Sequence, residues 1–214
     1  MGNCPRREKP TEEEPQSSRT DMSLGSRPGS SPSARGVGKR EEILISFLRG
    51  EGVDVEGRSL EEILGWPDAM LEAVHNYVQW VFPTDEASMF NSAAPLMTPE
   101  VQKVCREDAK IQENFDRILQ RFLSFLGLQI SSDGRGSLKV SRASHFQTRV
   151  RDCWSSFFGQ NHNWLRISRV LHCLGMIGKK AEQQALMKCL EGMQADFPDV
   201  QGAMPHWRAR ARTS

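Results

Sequence analysis

Apolar residues recur along this chain at steps of three and four, the period of helices that each bury one face. Ile43, Leu44, Phe47 and Leu48 mark the first face, where the composition changes at Lys39. "SLEE", Ser59 to Glu62, has the form of a capping box and predicts a short helix carrying Leu60, Ile63 and Leu64. "GWPD" ends it, and Asp68 stands where it would cap a third helix. The stripe of that helix, Leu71, Val74, Val78 and Val81, predicts an unbroken element up to Pro83, which lacks an amide donor and disfavours helix just before it. Trp80 lies about half a turn from the stripe, so it needs a second apolar surface or solvent.

Thr98 and Pro99 open the longest predicted helix, as cap and first residue. Its stripe is Val101, Val104, Ile111, Phe115, Ile118, Phe122 and Phe125, and Gly127 ends it. Asp108 takes the place of the missing apolar member, and a carboxylate there needs a partner. "SSDGRGS", Ser131 to Ser137, is turn chemistry that fits a small hairpin between "LQI" and "LKV". Helical pattern resumes from Ser141 through Phe146, Val150 and Trp154. After the polar break "GQNHN", Trp164, Ile167, Leu171 and Leu174 form a further stripe, with Arg166 and Arg169 on its far side. Ala181 to Met193 is a last amphipathic piece, with Leu186, Cys189, Leu190 and Met193 on its apolar side.

The expected fold is therefore all-α, a single helical domain of about six helices over residues 39–195, within the usual size of one domain. Residues 1–38 hold few apolar side chains and much Ser, Pro, Gly and charge, too little to offset the entropy of ordering, so they read as a disordered N-terminal tail. Residues 196–214, ending "HWRARARTS", read as a short basic C-terminal tail, a weak electrostatic contact at best.

With 28 basic and 27 acidic residues the net charge is +1, so no global field draws the chain to nucleic acid, and no sequence-specific nucleic-acid binding is expected. No apolar run approaches the roughly 18 residues needed to span a bilayer, and the N-terminus lacks a secretory signal. The expected location is cytoplasmic or nuclear. Five widely spaced cysteines with no CxxC pair argue against a disulfide framework and a zinc knuckle. "MGNC" raises peripheral membrane contact instead. Acylation of Gly2 and Cys4, backed by Arg6, Arg7 and Lys9, would tether the chain, although Arg6 replaces the favoured Ser or Thr.

No nucleophile stands beside a base, no acid pair is evident, and the five histidines make neither HxxxH nor HExxH. The expectation is a non-enzymatic protein without cofactor or metal. Binding candidates are Trp80 and Trp164, as aromatic walls of a groove, and Arg166 with Arg169, as guanidinium forks for an anion. The competing readings are core packing for the tryptophans, and a solvated face or the pinning of a neighbouring helix for the arginines. Asp108 joins this set through an expected ion pair with Arg166 or Arg169, which would tie the longest helix to the later one.

Two strings carry a resemblance. His75, Tyr77, Gln79, Trp80, Phe82 and Pro83 in "LEAVHNYVQWVFP", then Asn161, His162, Asn163, Leu165, Arg166, Ile167, Ser168 and Arg169 in "NHNWLRISRVLHCLG", resemble the conserved region of the opioid growth factor receptor family, in the same order. The likeness covers roughly residues 58–180 and fades after about Lys180. It implies a helical domain and a receptor-like module for an enkephalin-type peptide in growth regulation, associated with the nucleus and its membranes. The rival readings are a membrane-tethered helical scaffold and a hydrolase or transferase whose site is assembled from distant residues.

Overall fold

The computed structural model describes residues 38–88, 91, 93–134, 136–156 and 161–212. They belong to one unit, Gly36–Ser214. The expected disordered tail lies outside the described residues, as do Gly2 and Cys4, except for Gly38, which serves as N-cap of the first helix. Helix α1, Lys39–Arg49, buries Leu44, Ile45, Phe47 and Leu48 and ends at Gly50, whose φ of 78° is the left-handed conformation that glycine adopts freely. Helix α2, Leu60–Leu64, starts as expected, with the Ser59 hydroxyl accepting the Glu62 amide at 3.1 Å.

The predicted unbroken helix before Pro83 is two pieces, α3 (Asp68–Ala73) and α4 (Val78–Val81). The apolar spacing survives the break because Leu71, Val78 and Val81 still face the core. Asp68 begins α3 without capping it, and its carboxylate takes Arg121 Nη2 at 2.8 Å. Trp80 finds its second surface, edge-on to Phe47 with ring centroids 5.5 Å apart.

The longest predicted helix also divides, into α5 (Pro99–Glu107) and α6 (Ala109–Phe125). Asp108 is the hinge. Its backbone is extended, and its carboxylate accepts the amides of Lys110 at 2.9 Å and Ile111 at 3.0 Å. The same carboxylate takes Arg49 Nε at 2.7 Å, and neither Arg166 nor Arg169 pairs with it, which overturns the expected tie. A residue read as an intruder on an apolar face is a helix cap.

Gly127 turns the chain at φ 76°, and a Cβ there would come within 2.9 Å of Phe146 Cα. Strands β1 (Leu128–Ser132) and β2 (Leu138–Arg142) form the expected hairpin, antiparallel with Ile130 opposite Val140. Ser141 is thus strand, and helix resumes only at α7 (Phe146–Arg149), which runs into a π turn, Val150–Trp154. Then come α8 (His162–Met176), α9 (Lys180–Met193), a 3₁₀ turn (Pro198–Gly202) and α10 (Met204–Arg212). The stretch read as a basic tail is in fact α10, packed on α8 and α9. Trp207, fully buried, gives α10 its apolar anchor.

The fold is all-α apart from the hairpin, with α8 buried on nearly every side. Three buried indoles find backbone carbonyls: Trp154 donates to Leu126 at 2.8 Å, Trp164 to Cys153 at 3.2 Å and Trp207 to Trp164 at 3.0 Å.

Candidate functional site: a groove along α8

Helix α8 starts firmly because Asn161 caps it. Its Oδ1 accepts the Asn163 amide at 2.8 Å while its Nδ2 donates to Asp152 O and Ser155 O, both at 2.9 Å. One turn on, Arg166 is only 5% exposed. Its guanidinium fills the break between α3 and α4, with Nη1 donating to Leu71 O at 2.8 Å and Nη2 to Val74 O at 3.0 Å. Nη1 also reaches Asn163 Oδ1 at 3.1 Å. A cation on the last carbonyls of a helix supplies the donors that those carbonyls lack and suits the helix dipole. The expected place for Arg166, on the outer side of α8, is corrected: it pins a neighbouring helix.

Arg169 does similar work one turn further, donating to Phe82 O and Thr84 Oγ1, both at 3.2 Å. The two arginines hold the chain from Leu71 to Thr84 against α8. Between that chain, α8 and α10 runs a groove of about 640 Å³, lined among others by His75, Gln79, Glu86, Leu165, Arg169 and His172. Leu165, 70% exposed, is an apolar side chain presented to it.

A histidine–carboxylate hydrogen bond marks one end and an ion pair the other. At the first, His162 Nε2 lies 2.9 Å from Glu72 Oε1 and its ring centroid 5.1 Å from that of His75. Glu72 also accepts Asn163 Nδ2 at 3.1 Å. At the far end Arg210 clasps Glu86 with bonds of 2.5 and 2.7 Å and holds the Glu86 carboxyl below the usual range. Arg210 Nη1 also lies 3.1 Å from His172 Nδ1, and His172 Nε2 lies 3.2 Å from Asp85 Oδ1. A guanidinium only donates, so His172 accepts at Nδ1 and carries its proton on Nε2, facing Asp85. Burial pushes the His172 pKa down and favours this neutral form. Asp85, Glu86 and His172 are the one group among the described residues whose ligand atoms gather as a metal site would require, within 4.8 Å. In this tautomer both imidazole nitrogens are engaged, Nδ1 by Arg210 and Nε2 by Asp85.

Of the residues singled out from sequence, Arg166 and Arg169 line the groove. Trp80, Trp164 and Asp108 do not: the tryptophans are buried in the core, and Asp108 caps α6. His75, Gln79, His162, His172, Glu86 and Arg210 were missed. Four of them, His75, Gln79, His162 and His172, stand in the two quoted strings, but only folding shows that the strings meet.

The helical fold and its groove define an all-α domain whose surface site is made by two sequence-distant strings, residues 75–88 and α8. The chain belongs to the family described as the opioid growth factor receptor (OGFr) conserved region, whose family model matches residues 54–204. That match continues past Lys180, into α10, where the likeness had been expected to fade. The chain is 36% identical to the human opioid growth factor receptor over 149 residues, 67% of this chain and 21% of that protein. The rat protein of the same name is 34% identical over 148 residues, 67% of this chain and 24% of its own. Opioid growth factor receptor-like protein 1 of Xenopus tropicalis is 32% identical over 136 residues, 62% and 25%. The match thus spans a quarter or less of these relatives. No solved structure matches the chain.

Proposed function

We propose that this domain is a non-enzymatic, receptor-like module that binds a short extended peptide in the groove along α8, and that it serves growth regulation in the cytoplasm or nucleus. The groove carries the reading. From His162 to His172 the helix rises about 15 Å, the span of four to five extended residues. Leu165 offers the middle of such a peptide an apolar contact, and the ends present charged and imidazole groups that fix direction. The relatives are named opioid growth factor receptors, and the family resemblance implies an enkephalin-type peptide as occupant.

A non-enzymatic role is supported by the state of the thiols. Burial pushes Cys105 and Cys153 up to about 12 and raises Cys173 well above its ordinary value, far from thiolate chemistry at neutral pH. Among the described residues no helix is long and apolar enough to cross a membrane.

Calorimetric titration of a synthetic enkephalin peptide into the full chain tests the reading, with Leu165→Glu as the control. Leu165 is exposed, so its replacement should leave the fold intact. Binding by the native chain and its loss in Leu165→Glu are expected. Heat that is the same for both proteins, or absent from both, would overturn the proposal.

A further inference from the structure

Among the described residues that line the groove, one buried side-chain atom has no hydrogen-bond partner. Gln79, in α4, lines the groove, and its carboxamide oxygen is buried with no hydrogen-bond partner. The polar side chains around it are engaged: Arg166 and Arg169 with backbone carbonyls, His162 with Glu72, and His172 and Glu86 with Arg210. Two other buried atoms among the described residues share this condition, Arg58 Nη2, which is ion-paired with Asp54 at 2.6 Å, and the Tyr77 hydroxyl, which lies in the apolar interior. Gln79 alone of the three belongs to the groove.

A buried acceptor without a partner weakens a fold, and native proteins keep few. The terminal torsion of glutamine is soft, and a half-turn exchanges oxygen and nitrogen, so either end can be presented to the groove. A primary carboxamide sets an acceptor and donors in one plane. That is the complement of a peptide unit, which offers one C=O and one N–H.

We propose that Gln79 is the main-chain anchor of the site, its carboxamide turning so that the oxygen accepts an N–H of a peptide lying along α8. The inference rests on the peptide-binding reading of the groove and narrows it to a ligand with an unsubstituted secondary amide opposite Gln79. Recognition at that point is indifferent to side chains, leaving selection to Leu165 and the charged ends.

The test uses the full chain, a synthetic enkephalin peptide, and analogues in which one backbone N–H at a time is replaced by N–CH₃. One analogue should bind the native chain about tenfold more weakly than the parent, the effect of a buried hydrogen bond removed. Gln79→Met should bind the parent about tenfold more weakly and no longer discriminate against that analogue. A methylation penalty undiminished in Gln79→Met would overturn the inference while leaving peptide binding in place. The ligand-free thermal midpoint gives an independent reading: Gln79→Met should be as stable as the native chain or more so, because the lost oxygen had no partner. A fall of more than about 5 °C would mean that the carboxamide serves the fold, and would overturn the inference whatever binds. If the native chain binds no peptide, the reading of the groove fails and the inference with it.

Discussion

Arg166 donates to the carbonyl of Leu71 at 2.8 Å across 95 residues of sequence. The bond joins the two halves of the site, because Leu71 lies in α3 just before the break and Arg166 forms the groove wall on α8. Replacing Arg166 by Gln leaves the carbonyls of Leu71 and Val74 buried without a charged donor. The expected loss is about 2–4 kcal/mol, the range for charge-assisted hydrogen bonds and the carbonyls they leave behind. Urea unfolding measures it, and a loss below about 0.5 kcal/mol would show that water replaces the guanidinium.

Asp108 and Arg49 carry a smaller and separable contribution. Asp108→Ala removes the α6 cap and should cost about 1–2 kcal/mol. A double-mutant cycle of Asp108→Asn with Arg49→Gln should give coupling of at most about 1 kcal/mol, because Arg49 is more than a third exposed. Coupling to Arg166 or Arg169 should be near zero. The Asp108 carboxyl is held below its usual range by the Ile111 amide first and then by Arg49. Its stabilisation is thus complete above the unfolded value near 3.9 and is lost as pH falls through the lower folded value, about pH 4 and below.

How far the sequence could be read is visible at this residue and at Arg166. The three-and-four spacing located about half of the buried apolar side chains, because burial of one face is what that spacing encodes; Trp66, Phe82, Leu119, Leu123 and Val170 are buried off the stripes, and Ile43 on the first stripe is exposed. It could not locate the breaks at 74–77 and 108, because apolar residues on both sides of a break keep facing the same core. The first break is filled by a group remote in sequence, the Arg166 guanidinium, and the second is a local cap by Asp108, read from sequence as a buried carboxylate because the stripes on its two sides lie in register. The groove escaped as the first break did: His75 and His162 are unremarkable singly, and they meet only when Arg166 has drawn α3 onto α8. The C-terminal helix was missed because its charge outweighed the signal of one tryptophan.

That tryptophan supplies a direct check. Trp207 is fully buried and its indole donates to Trp164 O at 3.0 Å. Trp207→Ala should cost about 3–5 kcal/mol, as for other large buried aromatics. A change within about 0.5 kcal/mol would return residues 204–212 to the status of a tail.

Acid should weaken the fold through His172. Asp85, Glu86, Arg169 and Arg210 all face this imidazole, and burial, the largest influence, lowers its pKa. The unfolded chain then takes up the proton at higher pH than the folded one, so stability is full above about pH 6.5 and declines as pH falls toward the lower folded value. The urea midpoint should drop between about pH 7.5 and pH 5.5, and His172→Gln should flatten that slope. An equal slope in the variant would clear His172 of the effect.

The central claim is that the groove along α8 is where a peptide binds, and amide chemical-shift mapping of the full chain during titration with a synthetic enkephalin peptide tests it most directly. The account predicts saturable shifts that cluster at His75, Gln79, Glu86, Leu165, Arg169 and His172. Shifts confined to the cleft beside the hairpin, around Gln120, Ile130 and Leu138, or no shifts at all, would contradict it.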